Sequence, residues 1–217
     1  MRSKDGEPVS YPALKCATDK VVAALLLLLC SPIFFIVLAA LALDMLLVAR
    51  DRGSWLYRER RLSRGREFDL LKFRVLREDV LAEMRRRGGY ARLEEADPVN
   101  LTWAGRHVLK RWYLDELPQL VNVLGGQMSL VGPRPWPLSM VAEQVAEGHG
   151  YRHLIHAGLT GRAQVSKGAP NPASSVNLDL AYVQACRTQT SGRLLRHDLA
   201  ILTQTVRVIL RGEGLNN

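Results

Sequence analysis

Two adjacent carboxylates, Asp115 and Glu116, are the residues of this sequence best suited to chemistry. The apolar run after them continues to Leu124 and stops at Gly125-Gly126, which predicts a helix with Asp115 as N-cap and Glu116 at the first helical position. A helix N-terminus favours the ionised form of both groups. One carboxylate could then attack phosphorus or carbon while the other holds Mg²⁺. Both residue types are also ordinary helix caps, so the residues alone leave a purely structural role open.

Basic residues that could bind phosphate groups flank this carboxylate pair along the chain. They are Lys72 and Arg74 in the segment KFR, Lys110 and Arg111 directly before the carboxylates, and Arg134 between Pro133 and Pro135. Prolines stiffen the backbone on both sides of an arginine, which suits a fixed fork for phosphate or carboxylate. Each of these residues, taken singly, is more often a solvated surface charge.

An apolar segment near the N-terminus predicts insertion into lipid. Residues 21–43 contain no charged side chain, and about 20 apolar residues suffice to span the hydrocarbon core. Ser31 and Pro32 interrupt the segment, because proline removes a helical hydrogen bond and clashes with the preceding turn. Each arm of roughly 10–12 residues reaches about 15–18 Å. Together with positive charge on both flanks, this leaves a kinked spanning helix and a re-entrant hairpin as alternatives.

The charge of the chain is concentrated just after this segment. The formal net charge is +9, and residues 50–77 carry ten Lys or Arg against four acids, a surplus of +6. Such a basic stretch predicts contact with anionic lipid head groups and a cytoplasmic location. An apolar content of 47% argues against a largely disordered chain. Three cysteines without CxxC spacing predict reduced thiols and no disulfide framework.

The remaining pattern predicts a mainly α fold with a small β-hairpin. Two short apolar runs around the turn SRGR, before Glu78, indicate the hairpin. Helical spacing recurs over Glu78–Arg87, in the run after Gly105, and over residues 177–187 and 193–211. We expect an N-terminal interfacial segment (1–20), a membrane segment (21–49) and a compact catalytic domain (50–217), with amphipathic helices at the membrane interface.

The order of these motifs resembles one protein family. An apolar segment with Ser-Pro is followed by KFR, LDELPQL, MSLVGPRP, AQV and LDLAYV. This order is similar to the bacterial polyprenyl-phosphate phosphoglycosyltransferases of the small monotopic class, over residues 15–210. The sequence departs from the family pattern at Trp112-Tyr113, Ala157 and Arg162, and none of these positions removes a proposed catalytic group.

The resemblance implies a reaction and residues that perform it. Asp115 would attack the sugar-linked phosphate of a UDP-sugar and release UMP, and polyprenyl phosphate would then accept the phosphosugar. Glu116 would bind Mg²⁺, and the membrane helix would be re-entrant, broken at Ser31-Pro32. The remaining implied contacts are with phosphate or nucleotide, at Lys72, Arg74, Arg111, Pro133, Arg134, Pro135, Gln164 and Asp179.

These expectations describe an enzyme of the bacterial inner membrane with its catalytic domain on the cytoplasmic face. Its partners would be a UDP-sugar, polyprenyl phosphate, anionic lipids and a second copy of the chain, without nucleic acid. The alternatives are a membrane-anchored binding or scaffold protein without catalysis, and a family member that binds its donor without turnover. The sequence does not specify the sugar or the glycan pathway.

Overall fold

The protein is described by a computed structural model of residues 7–166 and 174–211, and the described part is mainly helical. Its α-helices are α1 (Ala13–Leu29), α2 (Ser31–Leu47), α3 (Glu78–Arg87), α4 (Ala91–Glu94), α5 (Gln119–Leu124), α6 (Leu138–Ala146), α7 (Arg162–Val165), α8 (Ser175–Thr188) and α9 (Ser191–Arg211). Its strands are β1 (Leu56–Ser63), β2 (Arg66–Phe73), β3 (Ser129–Val131) and β4 (Gly158–Thr160). The predicted mainly α fold with a small antiparallel hairpin is confirmed.

The chain divides into two compact units, each assembled from separate stretches of sequence. The first contains the described residues up to Ala24, Arg60–Leu70, and the described residues from Leu120 onward. The second contains Leu25–Glu59 and Leu71–Gln119. The functional division at residues 20 and 49 stays a prediction.

A parallel pair of strands, which the sequence did not reveal, lies in the first unit. Strands β3 and β4 place Ser129 opposite Gly158 and Val131 opposite Thr160. A Cβ on Gly158 would lie 2.1 Å from the backbone nitrogen of Gly132, so the two backbones approach more closely than any side chain allows. Each strand has only three residues, too few for an alternating pattern to be visible.

A buried ionic network also lies in the first unit, at the start of α1. The Lys15 side chain is fully buried, with its Nζ 2.7 Å from Asp198 Oδ2 and 3.4 Å from Asp19 Oδ2. Asp198 accepts a hydrogen bond from the Tyr182 hydroxyl, and Asp19 accepts one from Ser129. Lys15 therefore faces protein, and its positive charge is paired within the fold.

Helix α2 has two apolar faces in the second unit. One face packs into a hydrophobic core with strand β2 and helix α3, and Phe34 meets Phe73 edge to face at 5.6 Å between ring centroids. The other face exposes large apolar side chains, including Phe35, Ile36, Leu46 and Leu47. An unpaired apolar face of this kind is typical of contact with lipid or with another apolar surface.

The apolar segment is broken where the sequence predicted. Helix α1 ends at Leu29 and α2 begins at Ser31, whose hydroxyl donates to the carbonyl of Leu28 at 2.7 Å. In the part of the chain that the structure describes, no single helix is both long enough and apolar enough to span a membrane. The pair α1 and α2, bent by 58°, qualifies only when both are taken together.

Candidate active site

Short irregular turns present the carboxylate pair. A π-helical turn over Gly105–Leu109 passes into a 3₁₀ turn over Lys110–Trp112, and a second 3₁₀ turn covers Leu114–Glu116. Between the two 3₁₀ turns, Tyr113 adopts a left-handed conformation with φ of 54°. This conformation is uncommon for a residue with a side chain, and such strain often marks functional sites.

The predicted helix at this site begins later than the sequence indicated. Helix α5 starts at Gln119, so Asp115 is not its N-cap and Glu116 is not its first residue. Proline at position 118 separates the 3₁₀ turn from the helix. The predicted stop at Gly125-Gly126 is confirmed, with Gly126 in the left-handed region at φ of 72°. The chemistry of Asp115 is therefore set by neighbouring side chains and not by a regular helix N-terminus.

Two lysines face the carboxylate pair. Lys72 Nζ, from strand β2, lies 3.2 Å from Glu116 Oε1 and 4.0 Å from Asp115 Oδ2. Lys110 Nζ lies 3.4 Å from the same Asp115 oxygen. Asp115 is only 1% exposed, whereas the Glu116 side chain is 21% exposed. The structure thus brings together the predicted residues Lys72, Asp115 and Glu116.

Glu95 is a third carboxylate at this site, and sequence reasoning missed it. Its Oε2 lies 2.5 Å from Lys110 Nζ, so Lys110 bridges Glu95 and Asp115. Glu95 follows helix α4 in a charged loop segment whose pattern resembles an ordinary solvated surface. No spacing rule connects it to Asp115 along the chain.

Burial and charge act in opposite directions on these groups. Burial raises the pKa of Asp115, and although Lys72 and Lys110 counteract it, the pKa lies above the usual value. Burial alone would lower the pKa of Lys110, but attraction to Asp115 and Glu95 outweighs it and raises that pKa. Burial would raise the pKa of Glu95, but the two lysines outweigh it and lower that pKa. The pair of lysines thus opposes the cost of burying carboxylates here.

The donor set is compatible with Mg²⁺. Asp115 Oδ1 is buried and has no hydrogen-bond partner in the described structure, which leaves an oxygen available to a ligand. Within residues 7–166 and 174–211 no cluster of three or more His, Cys, Asp or Glu side chains could hold a metal. Mg²⁺ is commonly held by one or two carboxylates together with water and substrate phosphates. Asp115 and Glu116 fit that pattern.

Two predicted phosphate-binding residues of the second unit lie elsewhere. Arg74 is 1% exposed, and its guanidinium donates to the backbone carbonyls of Asp51, Ser54 and Leu76. Its geometry favours a structural role, and phosphate binding stays a prediction. Arg111 is exposed, with its guanidinium 5.8 Å from the centroid of the Trp112 ring. Lys110, and not Arg111, contacts Asp115.

In the first unit, Arg152 donates hydrogen bonds both to Asp179 and to the backbone of the segment Pro133–Pro135. Asp179 is buried and accepts hydrogen bonds from the Tyr151 hydroxyl at 2.8 Å and from Arg152 at 3.2 Å. Arg152 also donates to the backbone carbonyl of Arg134 and lies 4.2 Å from the centroid of the Trp136 ring. Arg152 was not predicted, because nothing in the sequence separates it from the other arginines.

The remaining predicted residues of the first unit are Pro133 and Pro135, which belong to this segment, and Gln164. The carbonyl of Pro133 accepts a hydrogen bond from Gly158, and the carbonyl of Pro135 accepts one from Arg61. Gln164 lies on α7, and both polar atoms of its side-chain amide are buried without a hydrogen-bond partner in the described structure. A buried amide in this state is suited to a ligand that both donates and accepts hydrogen bonds.

Comparison of the sequence with known proteins identifies its family. The sequence profile of the bacterial sugar transferase family matches residues 10–212. The chain is 37% identical over 192 residues to a UDP-galactose-lipid carrier transferase of Erwinia amylovora, covering 84% of this chain and 39% of that protein. It is 34% identical over 213 residues to an undecaprenyl-phosphate galactose phosphotransferase of Salmonella typhimurium, covering 93% and 41% respectively.

A shorter relative is covered almost completely. The chain is 34% identical over 216 residues to the exopolysaccharide production protein ExoY of Rhizobium meliloti, covering 92% of this chain and 87% of that protein. In contrast, the chain spans about two-fifths of the length of the first two relatives. Since the profile covers nearly the whole sequence, the chain belongs to the bacterial sugar transferase family.

Proposed function

We propose that this protein transfers a phosphosugar from a UDP-sugar to polyprenyl phosphate, as the first membrane step of glycan or exopolysaccharide assembly. The observation that carries the proposal is Asp115, a buried carboxylate with one unpartnered oxygen and two lysines beside it. Relatives whose names specify transfer to undecaprenyl phosphate support the acceptor. Relatives whose names include UDP-galactose and UDP-glucose support the donor class.

The proposed reaction proceeds in two displacements at one phosphorus atom. An oxygen of Asp115 attacks the sugar-linked phosphorus, the bond from that phosphorus to the UMP oxygen breaks, and UMP leaves with the electron pair. A phosphate oxygen of the lipid then attacks the same phosphorus, and the Asp115 carboxylate leaves. The product is a polyprenyl diphosphate sugar, and the enzyme returns to its starting state, as in covalent catalysis by other carboxylates.

The neighbouring residues have complementary roles in this proposal. Glu116 would hold Mg²⁺, which offsets negative charge on the diphosphate when bound. Lys72 and Lys110 keep positive charge near the phosphorus and oppose protonation of the buried nucleophile. Gln164, Asp179 and the segment Pro133–Pro135 are proposed to contact the nucleotide, as the family resemblance implies.

The membrane arrangement is also a proposal. We propose that α1 and α2 form a re-entrant segment broken at Ser31-Pro32, with the catalytic residues on the cytoplasmic face. The exposed apolar face of α2 and the 58° bend support it. Labelling single cysteines from each side of the membrane tests this. An N-terminus that is accessible from the outside would contradict the re-entrant arrangement.

The reaction is tested with purified protein, UDP-sugars and Mg²⁺, first without and then with polyprenyl phosphate. We expect UMP release without acceptor to equal the amount of enzyme, and a labelled phosphosugar to remain covalently attached. Asp115→Asn should abolish both signals, whereas Asp69→Asn, at a half-exposed carboxylate paired with Arg60, should retain them. Full activity of Asp115→Asn, or donor binding without any UMP, would contradict the mechanism.

A further inference from the structure

A second candidate site lies in the second unit, between the start of the hairpin and helix α3. It is a cavity of about 400 Å³. Its lining residues come from the loop before β1, the start of β1, the position directly after β2, and helix α3. They are Ser54, Trp55, Leu56, Tyr57, Arg58, Arg74, Glu78, Leu81 and Arg85. Neither Asp115 nor Glu116 lines it, so the proposed reaction gives it no role.

The charge of this cavity is unbalanced. Of the nine lining residues three are arginines, and Glu78 alone is acidic. Glu78 pairs with Arg85 at 3.2 Å, and Arg74 donates hydrogen bonds to backbone carbonyls and is attracted by Glu78 and by Asp51 and Asp44, which lie outside the lining. Arg58 is exposed at the rim. A surplus of two positive charges around one cavity favours an anionic ligand, and guanidinium groups suit phosphate in particular.

The wall of the cavity is firmly constructed. Arg74 is held by three carbonyls, including those of Asp51 and Ser54, which fixes the loop that precedes β1. A Cβ on Gly53 would lie 2.9 Å from Glu78 Oε2 and 3.2 Å from Arg74 Cζ, so this loop packs directly against these two charged side chains. A ligand would therefore meet a preformed site and would not have to order the loop.

Apart from Ser54, the rest of the lining is apolar or aromatic, and its first residues follow the apolar helix α2 closely in the sequence. Trp55 is 44% exposed, and Leu56 and Leu81 complete the apolar lining. A short connection joins Trp55 to the end of α2, where Leu46 and Leu47 are exposed. An anionic group in the cavity could therefore be covalently joined to an apolar chain that lies along α2. Exposed tryptophan at such a boundary is typical of the interface between lipid and water.

From these features we infer that the cavity binds the phosphate-bearing head group of an anionic lipid. The guanidinium groups of Arg58 and Arg85 contact the phosphate, and Trp55 contacts the adjoining glycerol or upper acyl region. This site would position the second unit at a membrane surface independently of the transfer reaction. Soluble phosphate compounds share the charge of the ligand but lack its apolar part.

Binding to the full-length protein in neutral detergent tests this inference. The probe is dihexanoyl phosphatidylglycerol below its micelle concentration, and the signal is tryptophan fluorescence, with Trp55→Phe to identify the reporter. We expect saturable binding of this probe and none of dihexanoyl phosphatidylcholine. The double variant Arg58→Gln/Arg85→Gln should bind about tenfold more weakly or worse, because it removes both charged donors at the phosphate.

A matched control separates a specific site from general electrostatic attraction. Arg86→Gln/Arg87→Gln removes the same amount of charge, from the helix that carries Arg85, but these arginines pair with Glu83 and do not line the cavity. We expect this control to retain the affinity of the unmodified protein. An equal loss in both double variants, or no saturable binding of phosphatidylglycerol, would overturn the inference. Saturation by UMP or glycerol phosphate with equal affinity would overturn the lipid assignment.

Discussion

Replacing Glu95 with glutamine tests how the charge around Asp115 is controlled. Lys110 Nζ lies 2.5 Å from Glu95 and 3.4 Å from Asp115, so Glu95 holds the ammonium group at a distance from the nucleophile. Without the Glu95 carboxylate, Asp115 is the nearest anionic partner of Lys110. We expect the ammonium group to move toward Asp115 and to form a tight ion pair with the carboxylate that must attack phosphorus.

The size of the effect follows from this geometry. A hydrogen bond to a charged group contributes about 1.5–3 kcal/mol. If the nucleophile must break such a bond before it reacts, the rate falls about 10- to 100-fold, since about 1.4 kcal/mol corresponds to a factor of ten. Glu95→Gln should also lower the free energy of unfolding by about 1–2 kcal/mol, a reduced figure because the Lys110 side chain is 29% exposed and solvent screens the pair.

The assay is the rate of UMP release in a single turnover, without acceptor lipid. Glu95→Gln should slow this release, whereas the UDP-sugar concentration at half-maximal rate should stay the same, because Glu95 acts on the nucleophile and not on donor binding. Glu83→Gln is the control, since it removes an equal charge from an exposed position on α3 where Glu83 pairs with Arg86 and Arg87. This control should release UMP at the unmodified rate.

A double variant determines whether Glu95 acts through Lys110. If it does, Glu95→Gln/Lys110→Gln should release UMP no more slowly than Lys110→Gln alone, because the ammonium group that ties up Asp115 is absent from both. If the double variant instead lost as much of the rate of UMP release as the two single variants lose together, this reasoning would be refuted. An unchanged rate of UMP release in Glu95→Gln would refute it as well.

Three further predictions concern stability and are measured by unfolding in neutral detergent. Because the pKa of Glu95 is lowered in the folded protein, the stability lost in Glu95→Gln should be largest at neutral pH and should vanish as the pH falls through that depressed pKa; a pH-independent difference would contradict this. Lys15→Met should lower the free energy of unfolding by about 3–5 kcal/mol, because it leaves the buried Asp198 carboxylate without its cation; an unchanged unfolding midpoint would contradict it. Gly132→Ala should lower it by about 1–3 kcal/mol, because its Cβ would lie 2.5 Å from the carbonyl oxygen of His156; unaltered stability would show that the strands can separate without cost.

The elements with local sequence signals were predicted from the sequence. The hairpin turns at Arg64-Gly65, where both residues have positive φ, and the glycine in SRGR indicated that turn. Helix α3 covers Glu78–Arg87, as its charge order predicted, and Gly88 ends it in the left-handed conformation. Signals of this kind act over a few residues, so they are readable without knowledge of the tertiary structure.

The elements formed by long-range contacts could not be predicted. Lys15 and Asp198 form a buried pair although they are far apart in the sequence, and each residue alone is typical of a solvated surface. Glu95 reaches the active site in the same way. Burial of an ionisable side chain depends on which partner the fold supplies, and a single sequence gives no indication of that partner.

The choice between Lys110 and Arg111 shows why the geometry of the active site also required the structure. In a continuous α-helix, residues four positions apart are neighbours, which would place Arg111 against Asp115 and direct Lys110 away. The backbone instead forms two 3₁₀ turns separated by Tyr113, which has a positive φ and interrupts helical spacing. Lys110 thereby reaches Asp115, and Arg111 lies exposed beside Trp112. Tyrosine rarely adopts this conformation, so the residue types gave no sign of the irregular backbone that determines which cation accompanies the nucleophile.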